Sequence, residues 1–274
     1  MEGLQGVPET LLITLWARGV ESRRQDPLFR DPKAEEILSS LEAAYDFSIF
    51  QKAWRSQLGV SVRTMLLDRG VRDFLLRHPR GTLVNLGAGL DTRFYRMNQK
   101  NIAHWYDLDL PEVISIREKF LPASEQNPHI KASLFDYSWM EDIVFSEKQP
   151  VLFIAEGILM YFPEEELRPL FREIAERFPK GEILFDTLPT FLVGREKYHD
   201  TIKNMGKSVQ FRWGVKNPRS LERWAPGFKL LHDWDYYDYC KKRWGWFGYI
   251  RKVPFAGPHF ISRIVHLEFA PTWE

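Results

Sequence analysis

GTLVNLGAGLDTRFYR, residues 81–96, is the stretch whose reading decides the fold. Gly81 to Leu86 reads as a short buried strand: Leu83, Val84 and Leu86 are apolar, and Gly81 and Gly87 bound it. Gly87 and Gly89 stand at its exit, where glycine permits a tight turn and a close approach of backbone to ligand. Asp91, Thr92, Arg93 and Arg96 follow at once. A polar loop at the carboxyl end of a strand is where open α/β sheets bind ligands. The spacing is not the dinucleotide fingerprint, because Thr92 stands where the third glycine belongs.

Upstream lies a helical prologue of about 80 residues. The spacing predicts helices over 9–24, 33–41 and 60–77, the last carrying Arg63 and Asp68. Downstream, strands and helices alternate. A second strand is predicted over 102–106, followed by Asp107 and Asp109 and a helix over 111–121 opened by Pro111. Asp109 caps that helix, takes a ribose diol, or does both. A weak third strand over 130–135 ends at Asp136. The nearly continuous apolar run 151–155 suits a central parallel strand and ends in Glu156-Gly157. A charge at that exit reads as a crevice residue, or as a cap or local salt bridge.

A helix over 163–178 and a fifth strand over 181–187, with Asp186 near its end, continue the pattern. The next forty residues do not match a plain crossover. They read as an insertion over the sheet, with a helix around 192–205, then Phe211 and Trp213, then a short helix after Pro218. The last strands are predicted over 228–234 and 261–269, and the aromatic segment 236–249 between them reads as a peripheral binding surface or, more simply, as core packing.

The chain has 274 residues, 44% of them hydrophobic, enough for a sizeable core. Lys plus Arg number 38 against 37 Asp plus Glu, which argues against a nucleic-acid-coating protein. The lone Cys240 excludes an internal disulfide and a cysteine metal site. No apolar run approaches the ~18 residues of a membrane span. The N-terminal segment lacks a signal-peptide shape, so a soluble cytoplasmic protein is expected. The histidines do not cluster as metal ligands, and neither GxSxG nor a phosphate loop ending GK[ST] is present.

Five segments, ESRRQDPLFRDPKA at 21–34, VRTMLLD at 62–68, NLGAGLDTRFYR at 85–96, DLDLPEVI at 107–114 and AEGILMYFPEEEL at 155–167, carry a resemblance. FRWGVKNPRSLERWAPG at 211–227 adds to it. In this order and spacing the chain resembles the S-adenosylmethionine-dependent leucine carboxyl methyltransferase family. It is nearer to the O-methyltransferases linked to polyketide biosynthesis. The resemblance implies a class I methyltransferase fold of the α/β, Rossmann-like kind: a seven-stranded, mostly parallel sheet with one reversed edge strand. It implies one domain over 1–274, with a prologue or lid at 1–80 and a cofactor-binding core at 81–189. An inserted cap at 190–227 and the final strands at 228–274 complete it. By similarity Gly87 and Gly89 approach the methionine part of the cofactor, with Ala88, Asp91, Thr92 and Arg93 in the same loop. Asp109, with Leu110, takes the ribose hydroxyls. Asp136 faces the adenine amino group, with Leu134 or Phe135 near the ring. Glu156 and Gly157 lie in the central crevice. Arg63 reaches the cofactor carboxylate, and Arg23 or Arg24 is a basic partner.

The expected function is O-methylation of a small organic acid, or of a phenol, with no nucleic acid or membrane partner and with the oligomeric state open. A sulfonium-bound methyl is already activated, so a carboxylate attacks it without a general base. Tyr161, Tyr198, Phe211 and Trp213, with Phe191, are the expected acceptor wall, although packing accounts for them equally. Arg63 has a plainer alternative in a surface ion pair with Asp68 or another acid. The rival functions are methylation of a protein C-terminal carboxylate and a non-catalytic S-adenosylmethionine-binding module. A nicotinamide enzyme fits poorly, because the glycine pattern fails after Gly89.

Overall fold

Strand β1 (Gly81–Leu86) lies mid-sheet, and all six of its residues are buried. The structure is a computed structural model that describes residues 9–43, 45–195, 210–252 and 259–270. On one side β1 runs parallel to β2 (Ile102–Asp109), which in turn pairs with the three-residue β3 (His129–Lys131). On the other it runs parallel to β4 (Val151–Ala155), and β5 (Gly181–Thr187) follows. The last strand, β7 (Arg263–Phe269), lies antiparallel against β5, and β6 (Phe228–Asp235) lies antiparallel against β7. The order is therefore β3-β2-β1-β4-β5-β7-β6, the seven-stranded class I methyltransferase sheet. The reversed strand sits one place in from the edge, and β6 is outermost. Chain direction away from the centre switches between β1 and β4, which opens a crevice at their carboxyl ends.

Every residue of β4 and β5 is buried as well, as strands covered on both faces require. One face packs Phe153 and Phe185 against Phe171 of a helix over Glu164–Arg177 and against Trp213. The other packs Leu83, Leu152 and Leu184 under Leu66, Val71 and Phe74 of a helix over Trp54–Arg77. In chain order the helices are α1 (Glu9–Ser22), α2 (Pro32–Leu41), α3 (Trp54–Arg77), α4 (Arg93–Arg96), α5 (Pro111–Arg117), α6 (Glu164–Arg177) and α7 (Lys241–Trp244). Asp31 caps α2 by accepting from the Ala34 N–H, with Pro32 in the first turn. The apolar residues of α1 and α2 form their own cluster, in which Leu12, Leu15, Ile37 and Leu38 are buried.

Several predicted boundaries move. Helix α3 begins six residues earlier than expected, at Trp54, and α5 stops at Arg117. Strand β2 continues through Asp107, because that carboxylate is buried with partners: it accepts from Asn85, Trp105, Arg117 and Asn127. The third strand ends at Lys131, so Leu134, Phe135 and Asp136 lie beyond it in a loop. In the insertion only short turns over Thr190–Leu192 and Pro218–Arg223 are seen, and 196–209, with most of the helix predicted there, lies outside the described residues. The segment 236–249 folds into short helical turns that include α7. Among the described residues no helix is long and apolar enough to cross a membrane.

Candidate active site

A cavity of about 490 Å³ opens at the carboxyl ends of β1, β2, β4 and β5. One half is built from the glycine loop and carboxylates: Gly87, Ala88, Gly89, Asp91, Asp109, Glu156 and Asp186 line it. The other half is aromatic, with Tyr161, Phe211, Tyr236, Tyr237, Trp244 and Phe247 in its wall. Leu11 and Arg18 of α1 and Arg63 of α3 complete the lining, so the prologue forms part of the enclosure.

The loop after β1 is shaped by its own backbone. Gly87 sits at φ +70°, and a Cβ there would lie 2.2 Å from Ile158 Cδ1. Only glycine accepts both the angle and the contact. The Gly89 N–H donates to Asp109 Oδ2 at 2.8 Å, and the Leu110 N–H donates to Oδ1 at 2.8 Å. Asp109 thus joins the exits of β1 and β2 while still facing the cavity. Burial raises its pKa, against the pull of those two N–H groups. From below, the fully buried Arg117 of α5 donates to the carbonyls of Gly89 and Asp91, at 3.0 and 2.8 Å, and to Asp107.

Glu156, at the β4 exit, is held between two guanidiniums. Arg63 Nε donates to Oε1 at 2.9 Å, and Arg93 Nη2 donates to Oε2. Burial alone would raise this carboxyl; Arg63 and Arg93 overcome it and hold the pKa well below the usual range. Arg63 reaches on to Asp186 at 3.2 Å, whose other oxygen accepts from the Gly157 N–H at 2.6 Å. Gly157 has φ +69°, and a Cβ on it would stand 3.2 Å from both terminal nitrogens of Arg63. That glycine lets the guanidinium lie under the β4 exit. Arg63 itself lines the cavity, and its Nε and Nη1 are the nitrogens that bind Glu156 and Asp186. The alternative pairing of Arg63 with Asp68 does not form; Asp68 is taken by Arg93 and Arg96.

Behind the lining runs a buried charge network. Arg93 is fully enclosed and donates to Asp68 at 2.8 Å, to Asp91 and to Glu156. Arg96 joins Asp68 to Asp31, and Thr92 donates to Asp31 at 2.5 Å. Arg93 and Thr92, expected to touch the cofactor, therefore stand behind the cavity and fix residues that line it.

The prologue residue that reaches the cavity is Arg18, not Arg23 or Arg24. Arg18 is buried on α1, donates to the Leu90 carbonyl at 2.6 Å and lies 3.4 Å from Asp31. Burial lowers its pKa, offset in part by Asp31, Asp91 and Glu156. Arg23 and Arg24 follow the end of α1 at Ser22 and are exposed; Arg23 pairs with Glu42. The spacing of Leu11, Leu15 and Arg18 on one helical face carried the signal. One turn on, the buried Glu21 accepts from both terminal nitrogens of Arg243, at 2.8 and 2.6 Å, which clasps α7 to α1.

Other expected residues do not converge. Asp136 is exposed and caps the turn Tyr137–Asp142 through Ser138; Leu134 is in the sheet core, and Phe135 packs on Phe162. The loss of the third strand after Lys131 explains why none of the three lines the cavity. Leu110 is 42% exposed and gives only its N–H to Asp109. Trp213 is buried between Phe185 and Trp224 in the sheet core, away from the lining, and Phe191 packs on Phe260. Tyr198 lies outside the described residues. Tyr161 and Phe211 do face the cavity, stacked at 5.9 Å. The remaining aromatic wall is Tyr236, Tyr237, Trp244 and Phe247, from the segment for which packing is the simpler of two readings; none of the four is singled out in the sequence as an acceptor residue.

With this geometry in place, the sequence matches the family model for leucine carboxyl methyltransferase over residues 11–175. The chain belongs to the leucine carboxyl methyltransferase family. Within the leucine carboxyl methyltransferase match lie Arg18, Arg63, Asp91, Asp109 and Glu156; Asp186 and the aromatic wall of 236–247 fall beyond it. The chain is 33% identical over 235 residues to tetracenomycin polyketide synthesis O-methyltransferase TcmP of Streptomyces glaucescens, covering 86% of this chain and 85% of that one. It is 30% identical to the S-adenosyl-L-methionine-dependent methyltransferase dpfgK of Gibberella zeae, covering 84% and 85%. In structure it is similar to a DUF574 family protein of Streptomyces avermitilis, at TM-score 0.60 and 10% identity over 96% of this chain and 97% of that one.

Proposed function

We propose that this protein is an S-adenosylmethionine-dependent O-methyltransferase acting on a carboxylate of a small organic acceptor. The observation that carries this is one cavity lined both by the strand-exit carboxylates Asp109, Glu156 and Asp186 and by the aromatic residues Tyr161, Phe211, Tyr236 and Phe247. The donor set fits S-adenosylmethionine. Asp109 suits a ribose diol, Arg63 and Arg18 suit the amino-acid carboxylate, and the ionised Glu156 suits a cationic neighbour. Val113 and Phe162 offer apolar surface for a base. When bound, this cofactor supplies a methyl group already activated by positive charge on sulfur.

The chain's own residues then position and exclude water. No histidine is present among the described residues that line the cavity. Burial pushes the Tyr161 and Tyr237 hydroxyls up to about 12, so both stay protonated at neutral pH. Such a site handles an acceptor that arrives deprotonated, which favours a carboxylate over a phenol. Its work is alignment of the oxygen and removal of water from it.

The test is incubation with isotope-labelled S-adenosylmethionine and a panel of aromatic acids, phenols, fatty acids and peptides. A base-labile labelled ester of a small acid is the expected product. Label appearing only on phenols or only on peptide C-termini would overturn the carboxylate and small-acceptor assignments respectively.

A further inference from the structure

Residues 239–252, YCKKRWGWFGYIRK, hold five Lys or Arg, five aromatic residues and no Asp or Glu, in a chain whose net charge is +1. Arg243 is clasped to Glu21 and fixes this segment against α1. Gly248 folds back on the start of α7: a Cβ there would stand 3.1 Å from the Lys241 carbonyl oxygen. Lys241 and Lys242 are exposed. Lys241 lies 3.9 Å from Asp238, a solvated pair that contributes little. Trp246 stacks on Phe247 with centroids 3.8 Å apart and planes 26° from parallel, and Trp54 of α3 meets the same ring edge-on at 6.3 Å. Trp246 is 70% exposed, Tyr249 56% and Trp54 46%. Lys52 and Arg55, on either side of Trp54, are exposed as well, and Arg55 lies 5.4 Å from the Phe247 centroid. Folding alone does not require three large rings in water among so many cations.

We propose that this basic and aromatic patch docks the protein on the surface of an anionic lipid bilayer. Trp54, Trp246 and Tyr249 enter the headgroup layer, and Lys52, Lys241 and Lys242 meet its charge. The inference goes beyond the methyl-transfer reading and does not depend on it. It replaces the expectation of no membrane partner, which rested on the lack of a spanning run; this patch lies on a bilayer and crosses nothing. Charge complementarity chooses the occupant. Cations with no acid among them across 239–252 face an anionic partner. Trp and Tyr are the rings that settle where one end is apolar and the other wet. A nucleic acid is matched instead by a cationic groove that tracks its backbone, whereas these rings stand exposed on a short segment. A second copy docked about a two-fold axis would set the same lysines against one another.

The test is co-sedimentation of the full chain with vesicles of phosphatidylcholine alone and of phosphatidylcholine mixed in equal parts with phosphatidylglycerol. Binding is expected to the mixed vesicles, to weaken as salt is raised, and to be absent from phosphatidylcholine alone. Each cation brought to an anionic surface strengthens binding by about five-fold, so Lys241→Ala with Lys242→Ala should cost about twenty-fold. Trp246→Ala should cost about ten-fold, the scale of half-burying a large ring. Brominated phosphatidylglycerol should quench tryptophan emission in the parent, and less so in the Trp54→Ala, Trp246→Ala double variant. Leu76→Ala, an exposed change at the far end of α3, should bind as the parent does. Urea midpoints matching the parent establish that each variant is folded. No binding to the mixed vesicles overturns the proposal, as does binding that all the folded variants retain or that Leu76→Ala loses equally. Binding to polyuridylate without binding to vesicles assigns the patch to nucleic acid and overturns it. So does a dimer in sedimentation velocity that Trp246→Ala dissociates while vesicle binding is absent.

Discussion

Arg93→Met removes the guanidinium on which three carboxylates converge, and the structure sets the size of the loss. The residue is fully buried and bonded to Asp68, Asp91 and Glu156. The penalties do not add, because two of the acids keep another partner. Asp68 retains Arg96 at 2.7 and 2.9 Å, and Glu156 retains Arg63 at 2.9 Å. Asp91 fares worst, with the Arg93 N–H at 2.9 Å, the Asn85 amide at 3.3 Å and Arg96 at 3.6 Å. Removing one partner of a buried ion pair costs about 3–5 kcal/mol, so one such loss is expected rather than three. That is a large part of a typical stability of about 5–15 kcal/mol. Urea denaturation should show it as a lower midpoint, and Arg93→Lys should lose less by keeping the charge. Calorimetry on the folded fraction should find S-adenosylmethionine affinity weakened through displaced Asp91 and Glu156. The reasoning is refuted if Arg93→Met unfolds within about 1 kcal/mol of the parent. It is equally refuted if stability holds while cofactor binding vanishes, since that would be the mark of direct contact.

Three further outcomes are expected. Asp109→Ala takes a charged acceptor from the Gly89 and Leu110 N–H groups and from the proposed ribose site, so cofactor affinity should fall by about 1.5–3 kcal/mol in titration calorimetry, with unchanged affinity as the contrary result. Trp213→Ala should cost about 3–5 kcal/mol of stability in denaturation while leaving relative acceptor rates as they are; Phe247→Ala should shift those rates, and the reverse pattern would reinstate Trp213 in the wall. Glu182 is bound by Arg77 and His266, with His78 3.8 Å away; burial opposes ionisation, yet these partners bring its pKa from 4.5 to about 2. A depressed carboxyl stabilises above pH 4.5 and loses that contribution as pH falls toward 2, so the parent should lose up to about 3 kcal/mol more than Glu182→Gln across that window, and parallel acid-denaturation curves would contradict this.

What the sequence disclosed follows from what kind of signal each residue leaves. Strands β1, β4 and β5 were legible to the residue, because strands buried on both faces are short apolar runs bounded by glycine or proline. Asp109 and Glu156 were legible as charges at strand exits. The resemblance put the prologue cation at Arg23 or Arg24, which are exposed, whereas the buried face of α1 carries Arg18 into the cavity lining. Asp136 lies outside the cavity lining: a predicted strand of six residues folds as three, and the carboxylate beyond it caps a turn. Trp213 and Phe247 exchanged roles for a different reason. An aromatic residue looks the same in sequence whether it fills a core or faces a ligand, and only the packing of distant segments separates the two. Arg117 and Arg243 left no pattern, since their partners are 28 and 222 positions away.

The placement of β7 has a consequence for how this chain is made. Synthesis delivers β6 about thirty residues before β7, yet β7 lies between β6 and β5. Until residues 263–269 emerge, β5 presents an unpaired edge and β6 has no neighbour in the sheet. The glycine loop and the strand-exit carboxylates of the cavity are complete in sequence by Thr187, so a nascent chain holds them while one flank remains open to other chains. The final strand therefore acts as a wedge inserted late. A chain stopped short of Arg263 should be captured by chaperones or aggregate, even though every residue of the ion-pair network behind the glycine loop has already been made.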